Sequence, residues 1–123
     1  MQLEFIRGCD LLSQIRWCNS KVRQGMTFYA AEVISALSHL HRNNIVYRDL
    51  KSEHIMIENS GHCKLIDFGF AKQFKSTKPE DQRTFTICGT PDYTAPEVIK
   101  GIGASFPADV WSLGVMIAEI LTG

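Results

Sequence analysis

Apolar residues recur at helical spacing in two long segments of the chain. In the first segment, which runs to about His41, the apolar positions on one helix face are Ala30, Val33, Ile34, Leu37 and Leu40. In the second, which starts near Ala108, they are Val110, Leu113, Ile117, Ile120 and Leu121. A period of about 3.6 residues is typical of a helix with one buried face. The pattern predicts two long helices, the first with Thr27 as its N-cap and Asn43-Asn44 at its end.

Shorter elements are predicted around these helices. The apolar runs Ile55-Met56-Ile57 and Cys63-Lys64-Leu65-Ile66 flank the turn residues Asn59-Ser60-Gly61, which indicates a β-hairpin. A short helix capped by Asp10 is expected at the start of the chain, followed by a polar turn over residues 19–25. The polar residues 72–83 favour a mobile surface loop. Together these elements predict an α+β fold that is mainly helical.

The composition narrows the classes of protein to which the chain can belong. Its 123 residues, 45% of them apolar, suit one globular domain. Its 13 basic and 13 acidic residues cancel, which argues against broad binding to nucleic acid or to an anionic membrane. No apolar run approaches the roughly 20 residues of a membrane span, and no apolar leader opens the chain. The four cysteines form no CxxC pair, so we expect reduced thiols and a cytoplasmic or nuclear location.

Four segments carry a chemical signal, and their order matters more than any one of them. Tyr47-Arg48-Asp49-Leu50-Lys51 lies between a helix and the hairpin, and Asp67-Phe68-Gly69 follows the hairpin directly. Residues 84–97 contain Gly89-Thr90-Pro91 and Ala95-Pro96-Glu97, and Asp109 opens the fourth segment. Each triplet alone is a weak signal, since such triplets also occur as turns and helix starts. All four in this order are very hard to obtain by chance.

This order resembles the C-terminal lobe of eukaryotic protein kinases of the AGC group. Two features are similar to the cyclic-nucleotide-dependent members of this group. One is Tyr47, where His is commoner in protein kinases, and the other is the sequence of residues 84–93. The resemblance covers residues 1–123 and implies a partial kinase domain, from the hinge at Glu4-Phe5-Ile6 through the helix that follows the activation segment. The N-terminal lobe and the final helices of that domain would then be missing. We expect such a chain to be inactive alone and to expose an apolar patch.

The resemblance implies a site for ATP and Mg²⁺. Asp49 would orient the proton of a substrate hydroxyl, and Lys51 would balance the charge of the transferred phosphoryl group. Asp67 would supply carboxylate oxygens to Mg²⁺, and Gly69 would adopt a backbone conformation closed to other residues. Asp109 would anchor the catalytic loop through backbone hydrogen bonds. The residues expected around the nucleotide are Glu4 and Ile6 at the adenine edge, Met56 at the adenine floor, Asp10 at the ribose, Glu53 and Asp67.

Regulation and substrate choice are also implied by the resemblance. Thr86 aligns with an activation-loop phosphorylation site, and Arg48 and Lys72 are placed to receive its phosphate. Thr90 would form hydrogen bonds near Asp49 and favour Ser/Thr substrates. Carboxylates pair well with arginine, so we expect protein substrates with arginine upstream of the acceptor, and a regulatory subunit is a further expected partner. Two alternatives remain open. Thr86 could be an unmodified hydroxyl, and the carboxylates could be ordinary solvated charges that bind no arginine. The expected substrate-binding residues are Asp10, Glu53, Ile87, Thr90, Pro91 and Glu119.

Two residues of the catalytic loop depart from the family pattern. Ser52 replaces the usual Pro, and His54 replaces the Asn that coordinates a second Mg²⁺. A neutral imidazole can replace the bracing hydrogen bond of that Asn but is a poor Mg²⁺ ligand. The sequence therefore leaves two functions open: a Ser/Thr protein kinase, or a pseudokinase or truncated lobe that only binds. A small-molecule kinase is a third candidate, against which residues 84–97 argue because they resemble a platform for protein substrates.

Overall fold

The computed structural model describes residues 5–123, apart from the side chain of Asn19. The fold is mainly helical with small antiparallel sheets, as predicted. The helices are α1 (Leu11–Arg42), α2 (Pro96–Ile99) and α3 (Phe106–Thr122). The strands are β1 (Gly8–Asp10), β2 (Ile45–Val46), β3 (Ile55–Glu58), β4 (Cys63–Leu65) and β5 (Lys72–Gln73). Short 3₁₀ turns cover Ser52–His54, Pro79–Asp81 and Pro91–Tyr93.

Helix α1 joins what the sequence predicted as two helices. The predicted turn over residues 19–25 is wrong, and Thr27 lies inside the helix instead of capping it. The discontinuity is a kink at Cys18, which has non-helical dihedral angles (φ −141°, ψ 44°). Val22 in the polar stretch is 3% exposed, so burial of this side chain favours the helix over the local preference for a turn. The predicted Asp10 cap is confirmed, because Ser13 N–H donates to Asp10 Oδ1 at 2.8 Å.

The predicted hairpin is confirmed and forms part of a larger sheet. Strands β3 and β4 pair antiparallel with Ile55 opposite Leu65, and β1 adds a third strand with Cys9 opposite Ile57. Strand β1 was not predicted because three residues are too few to show a period. Strands β2 and β5 form a separate pair, which ties down the start of the segment predicted as a mobile loop.

The core lies where α1 and α3 pack against the hairpin. It includes Leu11, Val33, Leu37, Tyr47, Leu50, Ile55, Met116 and Ile120. The prediction of burial is wrong for three residues on these faces. The exposed fractions of Ile34, Val110 and Leu121 are 48%, 59% and 48%. The buried stripe on each of these two helices is narrower than the apolar face in the sequence.

The predicted apolar patch is present on α3. An open groove is lined by Phe106, Pro107, Val110, Trp111 and Val115, and the side chain of Glu97 reaches its edge. Trp111 is 50% exposed. None of the helices in the described part of the chain combines the length and apolar character that crossing a bilayer requires.

Candidate active site

The carboxylate of Asp109 holds the loop of residues 47–51 in place from below. Asp109 is fully buried in the first turn of α3, and it accepts hydrogen bonds from Tyr47 N–H at 2.9 Å and Arg48 N–H at 2.8 Å. The predicted anchoring role of Asp109 is confirmed. Nε2 of His41, in the last turn of α1, lies 2.7 Å from the same carboxylate. Nothing in the sequence links His41 to a partner 68 positions away.

The anchored loop contains a strained backbone position. Arg48 has a φ of 70°, in the left-handed region that non-glycine residues rarely adopt. Such conformations persist where surrounding contacts impose them, and they cluster at functional sites. The two hydrogen bonds that the consecutive N–H groups of Tyr47 and Arg48 donate to Asp109 are the contacts that impose it here. The strained turn lies immediately before Asp49, which is 7% exposed.

Asp49, Lys51 and Thr90 form a connected group. The hydroxyl of Thr90 donates to Asp49 Oδ1 at 3.1 Å, and Lys51 Nζ donates to Thr90 Oγ1 at 2.9 Å. Lys51 Nζ also lies 3.7 Å from Asp49 Oδ2. The hydrogen bonds predicted for Thr90 are therefore confirmed, and the two predicted catalytic residues share one cluster.

Gly89 allows the activation segment to approach this cluster. It has a φ of 95°, and a Cβ at this position would lie 2.6 Å from the carbonyl oxygen of Arg48. Only glycine provides both the left-handed conformation and the missing side chain. The close approach places the neighbouring Thr90 against Asp49.

We expect Gly89→Ala to lower the free energy of unfolding by about 2 to 3 kcal/mol, because the new methyl group must displace the Arg48 carbonyl. Gly61→Ala is the matched control, since Gly61 has a φ of 89° with no atom near the position of its Cβ. That control should cost only the backbone strain, about 1 kcal/mol. Urea denaturation of both variants measures the difference, and equal losses would contradict the steric explanation.

His54 lies between the two aspartates of the predicted site. Its Nδ1 is 2.9 Å from the carbonyl oxygen of Asp49 and 3.4 Å from Asp49 Oδ2, and its Nε2 is 3.5 Å from Asp67 Oδ2. The bracing contact expected from a histidine at this position is therefore present. Nδ1 also lies 3.3 Å from the hydroxyl of Tyr47, which donates to the carbonyl of Ile66. Burial, and then the nearby aspartates, raises the pKa of Tyr47, so its hydroxyl stays protonated.

Asp67 carries the strained conformation that was predicted for its neighbour. Asp67 has a φ of 59°, whereas Gly69 does not lie in the left-handed region, so the prediction for Gly69 is wrong. A Cβ at Gly69 would lie 3.0 Å from Asp67 Oδ1, which accepts a hydrogen bond from Gly69 N–H, so a side chain here would have to shift the carboxylate slightly. The ring of Phe68 packs edge-on against Tyr47 with 5.4 Å between centroids. The carboxylate of Asp67 remains 57% exposed.

The residues predicted at the nucleotide have mixed positions. Glu4 lies outside the described residues. Ile6 lines an open cleft with Leu65 and Phe68, and Met56 is half-buried on β3, opposite Asp10 on β1. Both carboxylate oxygens of Asp10 accept hydrogen bonds from Ser13, at 2.8 and 2.7 Å. These bonds outweigh the effect of partial burial and lower the pKa of Asp10. Asp10 is thus a helix cap, and its contact with a ribose stays a prediction.

The basic residues predicted to receive a phosphate meet at a different threonine. Arg48 Nη1 and Lys72 Nζ each donate to Thr84 Oγ1 at 3.3 Å. Thr86 is exposed and lines a small cavity together with Arg48. Thr84 was not predicted to contact these residues; it is 2% exposed, whereas Thr86, two positions later, is exposed.

The carboxylates predicted to bind arginine are linked through two hydroxyl groups. The hydroxyl of Tyr93 donates to the carboxylate of Glu119, and Ser52 Oγ lies 3.4 Å from both Tyr93 Oη and Glu53 Oε2. Burial, and then the bond to Glu119, raises the pKa of Tyr93 to about 12. In the sequence, Ser52 was noted only as a departure from the family pattern. In the structure it is the fully buried member of this series of contacts between Glu53 and Glu119.

The apolar pocket predicted from Ile87 and Pro91 stays a prediction. Ile87 is 83% exposed and lines a shallow cavity with Phe85 and Val98, whereas Pro91 is exposed elsewhere. The two residues lie four positions apart, on either side of Gly89, which has a φ of 95°.

The comparison with known proteins agrees with this geometry. Residues 1–123 match the protein kinase domain. The chain belongs to the protein kinase family. It is 45% identical over 120 residues to the cAMP-dependent protein kinase catalytic subunit of Dictyostelium discoideum, with 98% of the chain and 18% of that protein covered.

Two further relatives are similar over the whole chain. The cAMP-dependent protein kinase catalytic subunit of Schizosaccharomyces pombe is 46% identical and 23% covered, and catalytic subunit 3 of Drosophila melanogaster is 45% identical and 20% covered. This kinase chain therefore spans about a fifth of the length of these relatives.

The side chains of the site suit Mg²⁺ at one position and not at the other. The exposed carboxylate of Asp67 provides the oxygen ligands that Mg²⁺ prefers, whereas His54 provides only nitrogen. Within residues 5–123, no group of three or more His, Cys, Asp or Glu side chains could hold an ion by itself. Any ion here would take its remaining ligands from nucleotide phosphates or water.

Proposed function

We propose that the chain forms the catalytic-loop and activation-segment part of a protein serine/threonine kinase. Such an enzyme transfers the ATP γ-phosphoryl group to Ser/Thr hydroxyls of protein substrates with arginine upstream of the acceptor. The observation that supports this proposal most directly is the joining of Asp49, Lys51 and Thr90 in one cluster, with Asp67 reached through His54. Members of this family generally use ATP and Mg²⁺.

Each residue of the cluster has a distinct role in this proposal. Asp49 accepts a hydrogen bond from the acceptor hydroxyl and aligns it for attack. Lys51 contributes positive charge next to the transferred group. The Thr90 hydroxyl, which is hydrogen-bonded to both Asp49 and Lys51, holds these two side chains in position. When bound, Mg²⁺ neutralises charge on the ATP phosphates, and the Asp67 carboxylate is the ligand that this chain would offer.

Two other groups of side chains support the proposed substrate preference and regulation. Glu53 and Glu119 are joined through Ser52 and Tyr93, which makes a continuous acidic edge for arginine side chains. Arg48 and Lys72 converge beside the activation segment, where a phosphate on Thr86 would complete a charged cluster. A regulatory subunit is a proposed partner because the relatives are named as catalytic subunits. The free thiols support a cytoplasmic or nuclear location.

One observation favours a second function. His54 fills the space between Asp49 and Asp67, where the family pattern has an oxygen ligand. A lobe with this substitution would bind substrate or a regulatory partner with little phosphoryl transfer. The second candidate is therefore a pseudokinase or a binding module.

A chimera distinguishes these functions. We expect the chain alone to be inactive. In the chimera, the chain replaces the matching segment of the Schizosaccharomyces pombe relative, which supplies the rest of a kinase domain. The chimera should phosphorylate a peptide with two upstream arginines faster than the same peptide with alanines. His54→Asn should raise the rate about 10- to 100-fold, and His62→Asn, at an exposed histidine, should not change it. A folded chimera that stays inactive with His54→Asn would favour the binding module.

A further inference from the structure

A carboxylate of helix α1 ties down the start of strand β4. Glu32 Oε2 accepts a hydrogen bond from Cys63 N–H at 2.7 Å, and Glu32 Oε1 lies 2.6 Å from Nδ1 of His62. Strand β4 is at the edge of the sheet, where no further strand provides acceptors for its outer N–H groups. Glu32 provides one such acceptor from the helix. We call the contacts of Glu32 with His62 and with the Cys63 N–H group the hairpin clip.

The ring of His62 contacts two groups of α1 that favour its charged form. One is the Glu32 carboxylate, and the other is the ring of Phe28, one turn earlier on the helix, with 5.6 Å between centroids. An imidazolium is attracted to a carboxylate and to a nearby aromatic ring more strongly than a neutral imidazole is. The His62 side chain is 62% exposed, so it exchanges protons freely with water. The clip therefore exists in both protonation states and is stronger in the charged one.

The other groups around the clip leave its carboxylate ionised and accommodate a positive charge on His62. Partial burial raises the pKa of Glu32, but the hydrogen bonds from His62 and Cys63 outweigh this effect and lower it. The bond to Lys64, and to a smaller extent the charge of His62, lowers the pKa of Glu58 on β3. Lys64 on β4 forms an ion pair with that carboxylate at 2.9 Å. The remaining titratable groups that face Glu32 are Tyr29 on α1, Cys9 on β1 and Cys63 on β4.

We propose that the hairpin clip is a pH-sensitive device: a proton on His62 strengthens the hold of α1 on strand β4, and loss of that proton weakens it. Histidine side chains change charge between about pH 5 and 8. A contact that favours the protonated form contributes its full stability at the low end of this range, and the contribution is lost as the pH rises. Strand β4 continues into Ile66, whose N–H donates to the His54 carbonyl at 2.9 Å, and then into Asp67. The clip therefore orders the strand that leads to the candidate active site.

Amide hydrogen exchange of the 123-residue chain, followed by NMR at pH 5.5 and pH 8, tests this proposal. After correction for the intrinsic exchange rate at each pH, we expect the protection factor of the Cys63 amide to be about 2- to 5-fold higher at pH 5.5. The Ile66 amide, farther along the strand, should show a smaller change in the same direction. The Thr84 amide is the internal reference, because it bonds to the Ala104 carbonyl in a separate bridge and should not change.

Three variants assign the effect to the clip. His62→Gln, at an exposed side chain, should fold and lose the pH dependence, because an amide does not titrate. Glu32→Gln should also lose it, although its amide oxygen can still accept from Cys63 N–H. His39→Gln removes an exposed histidine of α1 outside the clip and should keep the full dependence. Equal protection of Cys63 at both pH values in the unmodified chain, or a dependence that persists in His62→Gln, would overturn the proposal.

These measurements are independent of the proposed kinase function, because no phosphoryl transfer takes part in them. An inactive chimera would leave the hairpin clip standing, and a missing pH dependence would leave the kinase function standing. At pH 8, where the clip is weak, the phosphorylation rate should not depend on His62.

Discussion

Replacing Asp109 with alanine should lower the free energy of unfolding by about 3 to 5 kcal/mol, because it leaves buried donors without an acceptor. The Tyr47 and Arg48 N–H groups would lose their partner, and so would His41. The left-handed conformation of Arg48 would lose the contacts that impose it. We therefore expect the catalytic loop to relax as well. Urea denaturation measures the first effect.

Asp92→Ala is the control for this substitution. Asp92 lies exposed in a 3₁₀ turn, so its replacement should change the unfolding free energy by less than about 0.5 kcal/mol. Asp109→Asn should fall between the two, since an amide oxygen can still accept one hydrogen bond. A loss for Asp109→Ala no larger than that for Asp92→Ala would refute the anchoring role.

The second large effect is expected on activity and not on stability. The parent protein for this test is the chimera with the Schizosaccharomyces pombe relative that also carries His54→Asn. In this parent, Asp49→Asn should lower the phosphorylation rate about 10²- to 10⁴-fold. An amide can still accept the hydrogen bond from Thr90, so the cluster should keep its geometry. An amide cannot, however, take up the proton of an acceptor hydroxyl. Initial rates with ATP and a peptide substrate measure the loss.

Asp81→Asn provides the matched control, because Asp81 is an exposed carboxylate in the 3₁₀ turn Pro79–Asp81. Its rate should equal that of the parent chimera. The melting temperatures of both variants should stay close to that of the parent. An Asp49→Asn variant that is folded and fully active would remove Asp49 from the catalytic role.

Much of the site could be predicted because its residues are close together in the sequence. Asp49 and Lys51 lie two positions apart on one loop, and Asp67 follows a hairpin whose turn is visible in the sequence. The cap at Asp10 and the end of α1 at Asn43 are also local, since each depends on backbone groups only a few residues away. The prediction of a special backbone conformation at Gly69 was wrong because the positive φ lies on Asp67, and aspartate adopts this region only occasionally.

Other features depended on packing between distant segments. Three sets of contacts join parts of the sequence that no periodicity connects. They are the bond between His41 and Asp109, the contacts of Arg48 and Lys72 with Thr84, and the series of contacts from Ser52 to Glu119. The exposure of apolar residues on α1 and α3 also depends on packing between distant segments. Apolar spacing predicts which residues share a face, and the neighbouring elements decide how much of that face is buried.

The amino-acid sequence by itself determined the hairpin, the last helix, the family and the residues of the catalytic loop, because these depend on short-range spacing and on the chemistry of single side chains. Only the tertiary structure decided what His54 does. Its ring lies between two carboxylates that are 18 residues apart in the chain (Asp49 and Asp67). Its Nδ1 faces oxygen atoms of Asp49 and Tyr47, its Nε2 faces Asp67, and no sequence pattern encodes such a convergence.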